Sequence, residues 1–235
     1  MIGASTVRAH RAGVVPTRPT DVGDWVPAWL DGAWVRQRRL IGGGDPTEPS
    51  DVVWLQAGPW FADLRLARSA ATPTHGLDRS QAFSGRLEVV DHLNASVATW
   101  HHDLDTVEAV ERALDTASLV LCEGEMVETG VGYVEWWRRL DEGTERRVLV
   151  LEHADSRDEG PESERLVDAR IVCSGSMAIA VWVGVSRGGL WSTAPSGWEP
   201  ERVVGELPRE LDVIGALHAA LSEMALPDQW RAREV

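Results

Sequence analysis

The sequence predicts an all-β protein built from two antiparallel β-barrel halves packed together, with one C-terminal helix. Three observations carry this. Short runs of alternating apolar and polar residues recur along the chain between Gly, Pro and Ser turns, and residues two apart on a strand share a face. The runs fall into two series of similar order, WVRQRRL, VVWLQAGPWFADLRL, FSGRLEVV, NASVATWH and then EGEMVETG, VGYVEWWRRL, RLVDARIVC, SMAIAVWVGV. A helical period is clear in one stretch alone, from Glu210 to Met224. Many short antiparallel strands fit closed barrels, which remove exposed strand edges.

Taken in order, residues 1–24 are polar and aperiodic and read as a flexible N-terminal arm. The first barrel half is expected over 25–115. Trp25–Leu30 opens it as a short turn plugging one end, with Trp25 and Trp29 on one side. Strand 34–40 places Trp34, Arg36 and Arg38 on one face. The hairpin over 51–57 and 60–67 turns at Gly58-Pro59. Its second strand sets Ala62, Leu64 and Leu66 against Phe61, Asp63 and Arg65 on the opposite face, and Trp54 shares a face with Gln56. Strands over 83–90 and 94–101 follow, then a short helix over 107–114.

The second half is expected over 116–226, with strands at 117–122, 124–129, 132–140, 146–152, 165–173 and 176–186. An acidic loop runs from Asp155 to Glu164, and Met177–Val185 is apolar on both faces, as a fully buried strand is. Gly188-Gly189 and Pro195–Pro200 read as closing turns. The helix is placed at 208–224, with Leu211, Ile214, Leu217, Leu221 and Met224 on its apolar face, and 227–235 as a fraying tail.

Composition excludes several function classes. A net charge of −14 argues against nucleic acid, whose binding needs Lys and Arg to neutralise phosphates, and against anionic membrane surfaces. The chain has no Lys, and Asn94 is its only Asn, which points to a GC-rich bacterial genome and weakens any argument from Arg in place of Lys. Twelve Trp fill the core or line a cavity. Cys122 and Cys173 are the only cysteines, without CxxC or metal-type spacing. No stretch approaches the ~20 apolar residues of a membrane span, and no secretory signal is visible. A cytoplasmic protein with two free thiols is expected.

The motifs W-x-R at Trp34–Arg36, WLQ…F-x-DLR at Trp54–Arg65, FSG at Phe83–Gly85 and TWHHDLD at Thr99–Asp105, with EGEMVETG at Glu123–Gly130 and YVEWWRRL at Tyr133–Leu140, resemble the family of the yeast protein Hri1. The resemblance covers most of 30–186. It implies two calycin (lipocalin-like) β-barrel modules and carries no established activity.

A small barrel has room for side chains and one small ligand. The leading expectation is therefore binding of a small, largely apolar molecule, with a carboxylate as one option for its polar end. Trp54, Phe61, Trp100 and Trp137 would line the pocket, and Arg36, Gln56, Asp63 and Arg65 would form its polar end. A cofactor-free enzyme is the first alternative, with Tyr133 and Glu135, or His101 with Asp63, as acid and base. An interaction module with filled barrels is the second, presenting Trp191 and Trp198 to a protein partner. No cofactor is expected. His101 and His102 point to opposite strand faces and cannot jointly hold one metal. Monomer and homodimer both remain open.

Overall fold

The computed structural model describes residues 25–68, 80–92, 95–105, 114–140, 148–154, 167–182, 187–194, 197–204, 212–222, 224–227, 230–233 and 235. The arm over 1–24, the acidic loop and all but Leu114 of the helix expected over 107–114 lie outside them. Eight strands close an antiparallel barrel: β1 (Gly32–Ile41), β2 (Ser50–Ala57), β3 (Trp60–Ala67), β4 (Gln81–His92), β5 (Ala95–Asp105), β6 (Asp115–Cys122), β7 (Glu125–Gly130) and β8 (Tyr133–Arg139). Each pairs with the next, and β8 returns to β1. A second, six-stranded sheet has the order β13-β12-β11-β10-β9-β14. Its members are β9 (Val148–Ala154), β10 (Val167–Ser174), β11 (Met177–Trp182), β12 (Arg187–Ala194), β13 (Gly197–Val204) and β14 (Trp230–Arg233). Helix α1 (Val213–Leu221) lies between β13 and β14 in sequence.

The molecule is thus nearly all-β, with a closed barrel, as the alternation predicts. The break between sheets falls between Arg139 and Val148, whereas the sequence divided the chain at 115/116. Strands β6–β8 complete the first barrel, because without them β5 and β1 would be open edges. The second module is an open sheet among the described residues, not a second closed barrel.

Three apolar layers hold the two sheets. Inside the barrel, Trp34, Trp54, Phe61, Leu87, Trp100 and Trp137 pack together. The outer face of β2–β4, with Leu55, Ala62, Leu64 and Ala82, packs on Val172, Ile179 and Val181 of the second sheet. The far face of that sheet, with Ile171, Trp182 and Trp191, is covered by Val213, Ala216 and Leu217 of α1. Ala62 and Leu64 therefore serve the interface, while Phe61 and Asp63 turn inward, a division that a strand's period of two makes possible.

Leu30 is fully buried at one end of the barrel core, and Val26 and Trp29 pack against that core. The Leu30 amide donates to the Pro27 carbonyl (2.9 Å), and Trp34 Nε1 donates to the Leu30 carbonyl (2.8 Å). This is the expected plug, except that Trp25 is exposed and does not share the side of Trp29.

Four further expectations are corrected. Gly188-Gly189 is not a closing turn, and the turn expected over Pro195–Pro200 does not reach 200: residues 187–194 and 197–204 are strands β12 and β13, and 195–196 lie outside the described residues. Trp191 and Trp198 are buried under α1 and form no outer patch. Helix α1 buries Val213, Ala216 and Leu217, while Ile214 and Met224 are exposed, so its apolar face is rotated from the expected one. The tail does not fray throughout, because Trp230–Arg233 pairs with β9 as β14.

Candidate functional site inside the barrel

The barrel interior is graded along its axis. At the plugged end Gly32 lies opposite Gln56, and at the other end Ile41 lies opposite Tyr133 and Arg65 opposite Gln81. Apolar side chains fill the first end, and acids and bases gather towards the second. Local sequence sets this up. A bulge in β1 between Arg36 and Arg38 inserts a residue, so Arg36 (opposite Trp137) and Arg39 (opposite Glu135) both turn inward. Arg38 points out and lies 4.7 Å over the Trp136 ring, which corrects the expected Trp34-Arg36-Arg38 face. Arg39 pairs through its backbone with Thr47, and this draws Glu48 back towards Arg36.

The Arg36 guanidinium is fully engaged. Nε and Nη2 donate to the two oxygens of Glu48 (2.9 and 3.0 Å), and Nη1 donates to Glu135 Oε1 (2.6 Å). Arg65 donates through Nε and Nη2 to Asp63 (2.8 and 3.3 Å) and lies 4.8 Å over the Phe83 ring. Burial alone would lower the Arg65 pKa, but Asp63, Glu135 and Glu128 outweigh it and hold the guanidinium firmly charged. The β7–β8 hairpin turns at Val131-Gly132, where Gly132 has φ +82°, so Glu128 falls directly opposite Glu135. Glu128 accepts from the Tyr133 hydroxyl (2.7 Å) and from Trp137 Nε1 (3.0 Å). Burial, and then the charge of Glu135, push Glu128 up to about 8; burial, and then Glu128, push the Tyr133 hydroxyl up as well. Glu135 is 3% exposed, and its Oε2 has no hydrogen-bond partner among the described residues.

Beside this pair, His102 is stacked on Phe83 (4.4 Å between centroids) and held between Asp105 (2.9 Å) and Asp115 (3.0 Å). Burial would lower its pKa, but the two carboxylates raise it above the ordinary histidine value. Above lies the indole wall. Trp54 meets Trp100 and Trp137 edge to face at 5.8 and 5.6 Å. Trp54 Nε1 donates to Gln56 Oε1 (3.0 Å), and Gln56 Nε2 donates to the Gly58 carbonyl (2.7 Å). Gln56 thus fixes the β2–β3 turn, where Gly58 at φ +53° takes a conformation that side chains disfavour.

The structure brings all the residues expected to bind ligand, Arg36, Trp54, Gln56, Phe61, Asp63, Arg65, Trp100 and Trp137, into the barrel interior. Arg36 and Gln56 already spend their polar atoms on protein partners, and Arg65 spends Nε and Nη2 on Asp63. Of the expected acid–base residues, Tyr133 and Glu135 are inside. His101 is not: its side chain is exposed, 3.4 Å from Glu88, and His102 takes the inward position. Alternation from Ala98 and Trp100, both in the barrel core, turns His102 in, and Gly85 is required opposite it beside a bulge, since a Cβ would meet the His101 carbonyl at 1.7 Å. Sequence reasoning missed Glu48, which sits in a loop without periodicity. It also missed the Glu128–Glu135 opposition, although the Gly130–Gly132 turn, read as a hairpin, gives that register. Among the described residues no trio of His, Cys, Asp or Glu is grouped to hold a metal ion.

No family model matches the chain, and no curated protein sequence matches it. Among solved structures, the uncharacterised protein YLR301w of Saccharomyces cerevisiae, which is Hri1, is similar in fold. It has a TM-score of 0.58 at 13% identity over 78% of this chain and 91% of the yeast one. At that identity the likeness concerns the fold alone. It agrees with the barrel architecture that the motifs led us to expect. No helix among the described residues is long and apolar enough to cross a membrane.

Proposed function

We propose that the barrel interior binds a small, largely apolar molecule through one polar group, seated between the indoles of Trp54, Trp100 and Trp137 and the acids at the open end. The observation that carries this reading is Glu135 Oε2, a buried carboxylate oxygen with no donor among the described residues. Buried polar atoms are nearly always paired, and an unpaired one costs about 1–3 kcal/mol. A donor from outside the described residues would remove that cost. The expected grip of an Arg on a ligand carboxylate is disfavoured, because Glu48 and Glu135 occupy all three nitrogens of Arg36, and Asp63 holds Arg65 through Nε and Nη2. The polar group of the ligand is instead a hydrogen-bond donor.

Intrinsic fluorescence tests the reading, since the proposed wall is Trp. Titration with a panel of small amphiphiles is expected to yield a saturable quench that weakens about tenfold in Glu135→Gln. Binders that keep full affinity in both Glu135→Gln and Trp100→Leu would overturn it.

A second reading, a cofactor-free acid–base enzyme, has an observation of its own. Glu128 titrates near neutrality and is hydrogen-bonded to Tyr133, as a general acid or base needs. It requires that a bound compound be converted, as followed by mass spectrometry, and that Glu128→Gln abolish the conversion without abolishing binding.

A further inference from the structure

We infer that the ligand's polar group is a cation, an alkylammonium, held by the opposed carboxyl groups of Glu135 and Glu128 beside Trp137. This deepens the proposed function and rests on it. The geometry that points to a cation is the direct opposition of two acids on adjacent inward-facing positions, one of them with an unpartnered buried oxygen. Like charges placed opposite one another repel, and a cation between them turns that repulsion into attraction.

The surroundings favour the same sign. Four more acids face the same end, Glu48, Asp63, Asp105 and Asp115, against the bases Arg36, Arg39, Arg65 and His102. Acids outnumber bases among these described groups. Arg36, Arg65 and His102 are each bound to carboxylates, Arg36 to Glu135 Oε1 among them, so the acceptor left unanswered among the described residues is Glu135 Oε2, beside Glu128. Trp137 borders the pair through its edge, where its Nε1 donates to Glu128 Oε2, while Trp54 meets it at 5.6 Å. The end is reachable, because Tyr133 is half-buried and the Asp115 side chain is 42% exposed.

Burial, and then the charge of Glu135, favour a proton on Glu128, with its pKa pushed up to about 8. An ammonium seated there favours the carboxylate, so the carboxyl O–H gives its proton to solvent as the ligand enters. Binding therefore releases up to one proton at neutral pH. Affinity rises as the pH climbs towards 8 and levels off above it. Loss of charge from His102 over the same range acts in the same direction.

Calorimetric titration of the full chain with hexylammonium, 1-hexanol and hexanoate tests this, in two buffers that differ in protonation enthalpy. Hexylammonium keeps its charge through this pH range. It is expected to bind at least tenfold tighter than the alcohol or the acid and to release a proton. Glu135→Gln should lose about tenfold in affinity, and Glu128→Gln should bind without proton release. Equal or tighter binding of the alcohol or the acid would overturn the cation inference and leave the barrel-binding reading standing. Failure of all three to bind would overturn the inference. The barrel reading falls with it only if the purified protein also carries no bound compound.

Discussion

Glu128 decides how stability depends on pH. Its folded pKa of about 8 lies above the ordinary 4.5, so the folded state holds a proton that the unfolded chain gives up. Stability from this group is full below about 4.5 and is lost as the pH rises to about 8. His102, also raised, adds a loss in the same direction above 6.5. Glu152 and Asp51 act oppositely. Burial would raise both, but Arg170 and Arg233 on the one, and Arg68 and Arg202 on the other, lower them, so their contribution is lost in acid. Urea midpoints are expected to peak on the acid side of neutrality and to fall towards pH 8, with Glu128→Gln flattening that fall. An unchanged slope in the variant would contradict the assignment. Most of the residues in this cluster were legible beforehand. Phe61, Asp63 and Arg65, like Tyr133, Glu135 and Trp137, follow the rigid period of two along a strand. Arg38 did not follow it, because a bulge shifts the period without marking the side-chain pattern, whereas the same period that turns Trp100 inward sends His101 out.

The elements show where such patterns run out. Strands β12 and β13 contain Gly188-Gly189 and Pro200, which read as turns. Yet β13 lies at the sheet edge, where a missing N–H breaks no ladder on the open side. Strand β14 has four residues and too little alternation to detect, but Trp230 is buried against His153 at 5.1 Å. Trp230→Ala is expected to cost about 3–5 kcal/mol by chemical denaturation; a cost near zero would mean that the strand does not dock. Gly85→Ala should be destabilising by about 1–3 kcal/mol or more, as the added methyl must displace the β5 backbone.

At the scale of the molecule, barrel and sheet share one core and one buried ion cluster. Arg170 donates to Glu152 (2.7 Å) within the sheet and to Asp103 (2.9 Å) of the barrel, and its guanidinium lies 4.5 Å over Trp60. Arg231 and Arg233 of β14 close on the other oxygen of Glu152. The two sheets are therefore expected to unfold together, with far-ultraviolet dichroism and Trp fluorescence giving one midpoint. Arg170→Met should lower stability by about 3 kcal/mol, by breaking a buried pair. This joint was not legible in the sequence, because Asp103 comes from β5, far along the chain from the β9–β10 pair that sets Arg170 opposite Glu152, and no local period relates them.

The central claim is that the barrel's acid-lined end is a seat for a small molecule, and native mass spectrometry of the purified full chain tests it most directly. The account predicts a stoichiometric added mass, released on denaturation as a compound bearing an amine, and reduced in Glu135→Gln. A bare mass for the native chain, unchanged after incubation with alkylammonium ions, would contradict it.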